Sequence, residues 1–142
     1  MSIDPRFRNE LFDATTVSTY AAGYAARLAE AIVTVGQDEL SRAALAIMAC
    51  GESGRHVYAL GNGGSAAIAD HLCCDWTKGT HVAGKQTFRC TSLTANVALY
   101  SAIANDYGFE QVFSTQVGFF GEAGDVLVAI SSSGNSPNIV QA

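Results

Sequence analysis

Apolar residues recur at helical spacing over the first fifty positions. From Val17 the side chains Val17, Tyr20, Tyr24, Leu28, Ile32 and Val35 follow at intervals of three and four, one face of a helix that Gly36 ends. Asp38 opens a second helix with Leu40, Ala44, Ile47 and Met48 turned inward, closed by Gly51 and Gly54. Two helices ahead of any strand either cap a sheet edge or pack against copies of themselves.

The period then changes. His56-Val57-Tyr58-Ala59-Leu60 reads as a short buried strand, broken by Gly61-Asn62-Gly63-Gly64-Ser65, and residues 66 to 77 read as helix. Gln86 to Leu93 is a second strand, followed by helix from Asn96 to Ala104, a loop at Asn105-Asp106-Tyr107-Gly108, and helix again from Phe109 to Phe120. Val126-Leu127-Val128-Ala129-Ile130 is the clearest buried strand. Strands alternating with helices require parallel pairing with right-handed crossovers. The fold class is therefore α/β: a three-layer αβα sandwich on a parallel sheet, preceded by two N-terminal helices.

Composition narrows this picture. A chain of 142 residues, 49% hydrophobic with two prolines, suits one domain, with residues 1–52 as helices and 53–142 as the α/β part. The net charge is −5 and the eight basic residues are scattered, which argues against a nucleic-acid face or an anionic membrane surface. No apolar run approaches the roughly 20 residues of a membrane helix, and MSIDPRFRNE lacks the apolar segment of a secretory leader. Cys50, Cys73, Cys74 and Cys90 form no C-x-x-C pair, and three of them sit in apolar runs. They read as buried free thiols of a cytoplasmic protein rather than as zinc ligands or disulfides. Ser136 and Pro137 look like the cap and first residue of a helix, so the chain is expected to be a piece of a longer one.

The chemistry concentrates at two strand-to-helix turns, Gly61-Asn62-Gly63-Gly64-Ser65 and Ser131-Ser132-Ser133-Gly134-Asn135-Ser136. Ligands of open parallel sheets bind at the carboxyl ends of the strands, where a helix start offers free N–H groups and a positive dipole end suited to phosphate. The glycines allow backbone to approach closely, and the serines add hydroxyl donors. Neither turn holds Lys or Arg, so a phosphate there would be held by neutral donors and helix dipoles. Taken singly, each turn is equally a tight loop or a serine-rich cap.

Gly61-x-Gly63-x-x-Ala66 also fits the dinucleotide fingerprint, but that fingerprint needs an acidic residue about 20 positions on. None occurs between Asp75 and Asp106, so no nucleotide cofactor is expected. His71 and Asp75, four apart on one helix face, are either a metal or proton-transfer pair or a plain surface pair. Trp76 and the vicinal cysteines look like core, Asp106 like a solvated loop carboxylate, and His56 and His81 show no partner pattern.

Together these residues resemble a known family. GNGGS at Gly61–Ser65, His71, Ala104-Asn105-Asp106-Tyr107-Gly108-Phe109, Gly124-Asp125-Val126-Leu127 and the serine turn are similar, in this order, to the sugar isomerase (SIS) domains and within them to the phosphoheptose isomerases. The resemblance implies a flavodoxin-like fold, a homotetramer built largely on the N-terminal helices, and aldose–ketose isomerisation of sedoheptulose 7-phosphate. It implies a phosphate held by Ser131, Ser132, Ser133 and Ser136. Asn62, Gly63, Gly64 and Ser65 would line the same pocket, and Asn105 and Asp106 would contact substrate hydroxyls.

It further implies Zn2+ on His71 and the residue four later, where the family carries a glutamate and this chain Asp75. The reading assigns Asp75 and Asp106 to catalysis. Where the family often has a basic residue, this chain has Gly79, beside Lys78, and the family's remaining Gln and His ligands come from a later segment. The alternatives are a non-catalytic sugar-phosphate binder or an initiator-associating scaffold protein.

Overall fold

The computed structural model describes residues 13–142, so the MSIDPRFRNE segment lies outside the described residues. The chain divides into two compact units, residues 1–43 and 44–142. In the first, helix α1 spans Val17–Thr34 and starts from a reciprocal threonine cap. Thr16 Oγ1 accepts from the Thr19 N–H at 3.1 Å, while the Thr16 N–H donates to Thr19 Oγ1 at 3.2 Å. The expected apolar stripe is present, but Val17, Tyr24, Leu28 and Ile32 are all exposed and α1 has no buried residue.

Helix α2 spans Gln37–Glu52. Its inward face was expected at Leu40, Ala44, Ile47 and Met48. Leu40, Ala44 and Met48 are exposed and Ile47 is half-buried, whereas Cys50 is the buried residue of the helix. Amphipathic spacing predicts a sticky face, and a single chain need not supply its cover.

The second unit is built on three parallel strands, β1 (His56–Gly61), β2 (Arg89–Ser92) and β3 (Val126–Ile130), in the order β2-β1-β3. Around them lie α3 (Gly64–Cys74), α4 (Val97–Tyr107), α5 (Ser114–Phe120) and α6 (Pro137–Val140). Period-two alternation splits the strands between two apolar cores. Leu60 joins Leu93, Ile103, Val112, Phe113 and Ile139, with Tyr58 and Leu127 packed against them. On the opposite face Ala59 meets Ala69 and Cys73 of α3, with Cys90, Val128 and Ile130 alongside. Each large side chain removed from water contributes about 1.5–3 kcal/mol, so Leu60 and Phe113, both fully buried, anchor the first core. This is the three-layer αβα sandwich on a parallel sheet.

Several boundaries differ from the sequence expectation. The second strand is four residues long rather than eight, and Phe88, just before it, meets the Trp76 ring edge-on at 5.7 Å. Asn105, Asp106 and Tyr107 are the last turn of α4 rather than a loop, and Gly108 at φ +96° ends it. The helix expected over Phe109–Phe120 begins as a 3-10 turn, Phe109–Gln111, and restarts at Ser114. Cys74, expected in the core, is exposed.

Asp125, just before β3, holds the amino end of the sheet. Its Oδ1 accepts from the His56 N–H at 2.8 Å and its Oδ2 from the Glu122 N–H at 2.9 Å. Burial pushes this carboxyl up, but the two N–H donors outweigh it and hold the pKa below the usual value. A depressed carboxylate stabilises the fold above its unfolded pKa and loses that contribution as pH falls through the folded value. Asp125→Ala should cost about 1–3 kcal/mol at neutral pH by leaving the His56 N–H without its acceptor. It should also flatten the acid-side loss of stability in urea titrations run at descending pH. A variant with the wild-type acid profile would show that Asp125 is not the group responsible.

Candidate functional site

The site follows from strand register. Gly61, the last residue of β1, pairs with Ile130, the last of β3, so Asn62 and Ser131 leave neighbouring strands side by side at their carboxyl ends. The order β2-β1-β3 makes this gap the place where the chain switches direction across the sheet, the usual ligand crevice of such folds.

In the first turn Gly63 has φ +53° and caps α3 without any side-chain hydrogen bond to the helix start. A Cβ on Gly63 or Gly64 would meet nothing within 4 Å, so open space lies before both. Gly61 is the opposite case: a Cβ there would fall 2.6 Å from the backbone carbon of Ser65. Its missing side chain lets the turn fold back on itself.

In the second turn Ser131 Oγ lies 3.4 Å from Ser133 Oγ and 3.3 Å from Ser136 Oγ, and Ser133 Oγ accepts from the Asn135 N–H at 3.3 Å. Ser131 and Ser136 are half-buried, while Ser132 and Ser133 are exposed. Ser136 precedes Pro137 as expected, but its hydroxyl turns to Ser131 and makes no cap hydrogen bond to α6. The hydroxyls therefore converge on one another rather than on the helix end.

A pair that the sequence reading missed joins the two turns. Asn62 and Asn138 exchange side-chain hydrogen bonds, Nδ2 to Oδ1, both at 2.9 Å. Asn138 is buried, so this bond fixes the spacing of the turns from below. No local pattern announces it, since the partners lie 76 positions apart. At the end of β2 a further polar chain was missed: Thr94 Oγ1 donates to Asp70 Oδ1 of α3 at 2.7 Å and lies 2.7 Å from Ser92 Oγ.

Asn105 and Asp106 are exposed, and the Asn105 Nδ2 donates to Asp106 Oδ1 at 2.8 Å. Their helix runs into the 3-10 turn whose Gln111 Nε2 donates to Gln141 Oε1 at 3.1 Å, just beyond α6. Among the described residues no hydrogen bond joins Asp106 to the serine turn.

Comparison with known proteins decides the family. The SIS domain model matches residues 19–142. The chain belongs to the SIS domain family. Phosphoheptose isomerases are among its relatives: that of Desulfovibrio desulfuricans is 40% identical over 129 residues, covering 91% of this chain and 61% of the relative. The structure of phosphoheptose isomerase from Neisseria gonorrhoeae superposes with a TM-score of 0.76 at 36% identity, over 89% of this chain and 66% of that one. The enzyme of Francisella tularensis gives 0.78 at 29% identity, over 90% and 68%. This SIS domain thus spans between about half and two thirds of the curated relatives it matches, from 51% to 67%.

The His–Asp pair of the SIS domain sits where α3 changes character. α3 closes at Cys74, and Asp75 opens a π-helical turn, Asp75–Gly79, yet His71 Nε2 and Asp75 Oδ2 stay 3.4 Å apart. Two donors each about 2.1 Å from a tetrahedral zinc lie about 3.4 Å from one another, so the pair fits two corners of such a site. Both side chains are largely exposed and face an open cleft with Ala67, Ile68, Leu72 and Trp76. All six residues belong to α3 and its π-helical turn, so this cleft has one wall. Among the described residues no cluster of three metal-ligating side chains forms, and a catalytic zinc ordinarily takes three protein ligands.

Two histidines acquire partners here. His56 Nε2 lies 2.7 Å from Thr91 Oγ1 and its ring stacks on Tyr58 at 4.4 Å. Burial and the nearby Arg89 lower its pKa. His81 Nδ1 lies 3.1 Å from Thr87 Oγ1. No helix of the described residues is long and apolar enough to cross a membrane.

Proposed function

We propose that this SIS domain binds sedoheptulose 7-phosphate and serves its isomerisation to a glycero-manno-heptose 7-phosphate. The register that sets Asn62 beside Ser131 carries the reading, because it merges two neutral, donor-rich turns into one anion cradle. The phosphate would lie against the Gly63 and Gly64 backbone and take hydroxyl donors from Ser131, Ser132, Ser133 and Ser136, with Ser65 beside it. Asn105 and Asp106 would hold the open-chain hydroxyls, Asp106 orienting the reacting carbons.

His71 and Asp75 are the residues that would hold Zn2+, and a bound zinc would polarise the substrate carbonyl. Asp75 would take the proton from the carbon beside the carbonyl and return it to the neighbouring carbon, while the hydroxyl proton crosses between the two oxygens. The one-walled cleft and the exposed stripe of α1 support a homotetramer in which neighbouring chains complete the site. The free thiols fit a cytoplasmic protein, and no nucleic-acid or membrane partner is proposed.

Asp75 also favours a second reading. Aspartate is one methylene shorter than the glutamate of the resembling isomerases, and catalysis tolerates displacement of well under an ångström to about one. The second reading keeps the cradle and drops the chemistry. Incubating the full chain with sedoheptulose 7-phosphate, with and without zinc, separates the two. Zinc-dependent turnover establishes the isomerase. Binding without turnover establishes the sugar-phosphate binder, and absence of binding overturns both.

A further inference from the structure

We infer that Cys73 and Cys90 are a reversible disulfide site joining α3 to β2. Their sulfurs lie 3.0 Å apart, although the residues belong to different elements 17 positions apart. A disulfide bond is about 2.05 Å long, so closure needs about 1 Å of movement. The pair sits against Ala59, Ala69, Leu72, Val128 and Ile130, with Cys73 buried and Cys90 partly so.

The other two thiols set off this arrangement. Cys50 is buried and spends its thiol on the His56 carbonyl at 3.3 Å, the ordinary use of a structural cysteine. Cys74 is exposed, as a thiol open to any reagent should be. Only Cys73 and Cys90, among these four, present sulfur to sulfur. Between them runs the π-helical turn and an exposed irregular stretch, residues 80–87, which can absorb a small approach of α3 to the sheet edge.

A hydroperoxide is a sufficient oxidant. One sulfur attacks a peroxide oxygen, the O–O bond breaks, and a sulfenic acid forms as one water (or alcohol) leaves. The second sulfur then attacks the first, the S–O bond breaks, and a second water carries away the oxygen. The two thiols lose two electrons and two protons, and the peroxide is reduced. The inference is independent of which sugar phosphate the domain binds.

The test treats the reduced full chain with hydrogen peroxide, alkylates it under denaturing conditions and maps the peptides by mass spectrometry. The expected result is a Cys73–Cys90 linked peptide, alkylated Cys50 and Cys74, and a thiol titre that falls from four to two and recovers with dithiothreitol. Cys74→Ala should leave the link intact, and Cys90→Ser should abolish it. Circular dichroism of each variant guards against misfolding, and the wild-type map decides even if a variant fails to fold. A titre that stays at four overturns the inference. So does a sulfinic acid on Cys73 with Cys90 free, or disulfides that run through Cys74.

Discussion

The double variant Ser131→Ala with Ser133→Ala should lose sugar-phosphate affinity by on the order of a hundredfold or more while keeping the wild-type fold. The reasoning starts from charge. The cradle contains no Lys or Arg, so the phosphate would depend on hydroxyls and backbone N–H groups alone. A hydrogen bond to a charged group contributes about 1.5–3 kcal/mol, and two lost together amount to a hundredfold or more in affinity. The fold should not register the change. Ser133 is exposed, and Ser131 is half-buried and bonds only to its neighbours in the same turn at 3.3 and 3.4 Å. Calorimetric titration with sedoheptulose 7-phosphate, beside a urea midpoint, reads both quantities. An unchanged affinity would remove the phosphate from this turn.

Much of that turn could be read from the sequence, for a physical reason. β1 is the central strand and a continuous apolar run. β3 is an equally plain apolar run, although it lies at the sheet edge with no fully buried residue and with Ala129 exposed, rather than as the best-buried strand. The glycine and serine segments that break them are as plain. The irregular parts were hidden because long-range partners decide them. Phe88 stands outside the strand and meets Trp76, and the π-helical turn at Asp75 leaves no trace in side-chain periodicity. The Asn62–Asn138 and Cys73–Cys90 contacts exist only once the strands are in register. On α2 the apolar spacing was read as inward, yet Leu40 and Met48 stay exposed, since periodicity marks an apolar face without naming what covers it. Asn105 and Asp106 are a similar case: the sequence reads as a loop there, while the structure carries α4 on to Tyr107.

Gly61→Ala and Gly64→Ala should part company, although both replace a glycine of the same turn. Gly61 is buried, and its added Cβ would stand 2.6 Å from the Ser65 backbone carbon and carbonyl oxygen. That contact is with backbone, not with a flexible side-chain tip, so β1 and the start of α3 must separate. Overpacking of this kind costs about 1–3 kcal/mol and occasionally more. The displaced Asn62 would also strain its bond to buried Asn138, so stability and phosphate affinity should fall together. Gly64 is the first residue of α3, its backbone is not in the left-handed region, and an added Cβ meets nothing within 4 Å. Alanine there should keep or raise stability by about 0.5–1 kcal/mol, since glycine loses more freedom on folding. The same methyl group would occupy the open space assigned to the phosphate and weaken its binding. Urea midpoints and sugar-phosphate titrations on both variants check the pair. If Gly64→Ala bound sugar phosphate as tightly as the wild type, the ligand could not lie against this backbone, and the open space before Gly64 would have to serve something else.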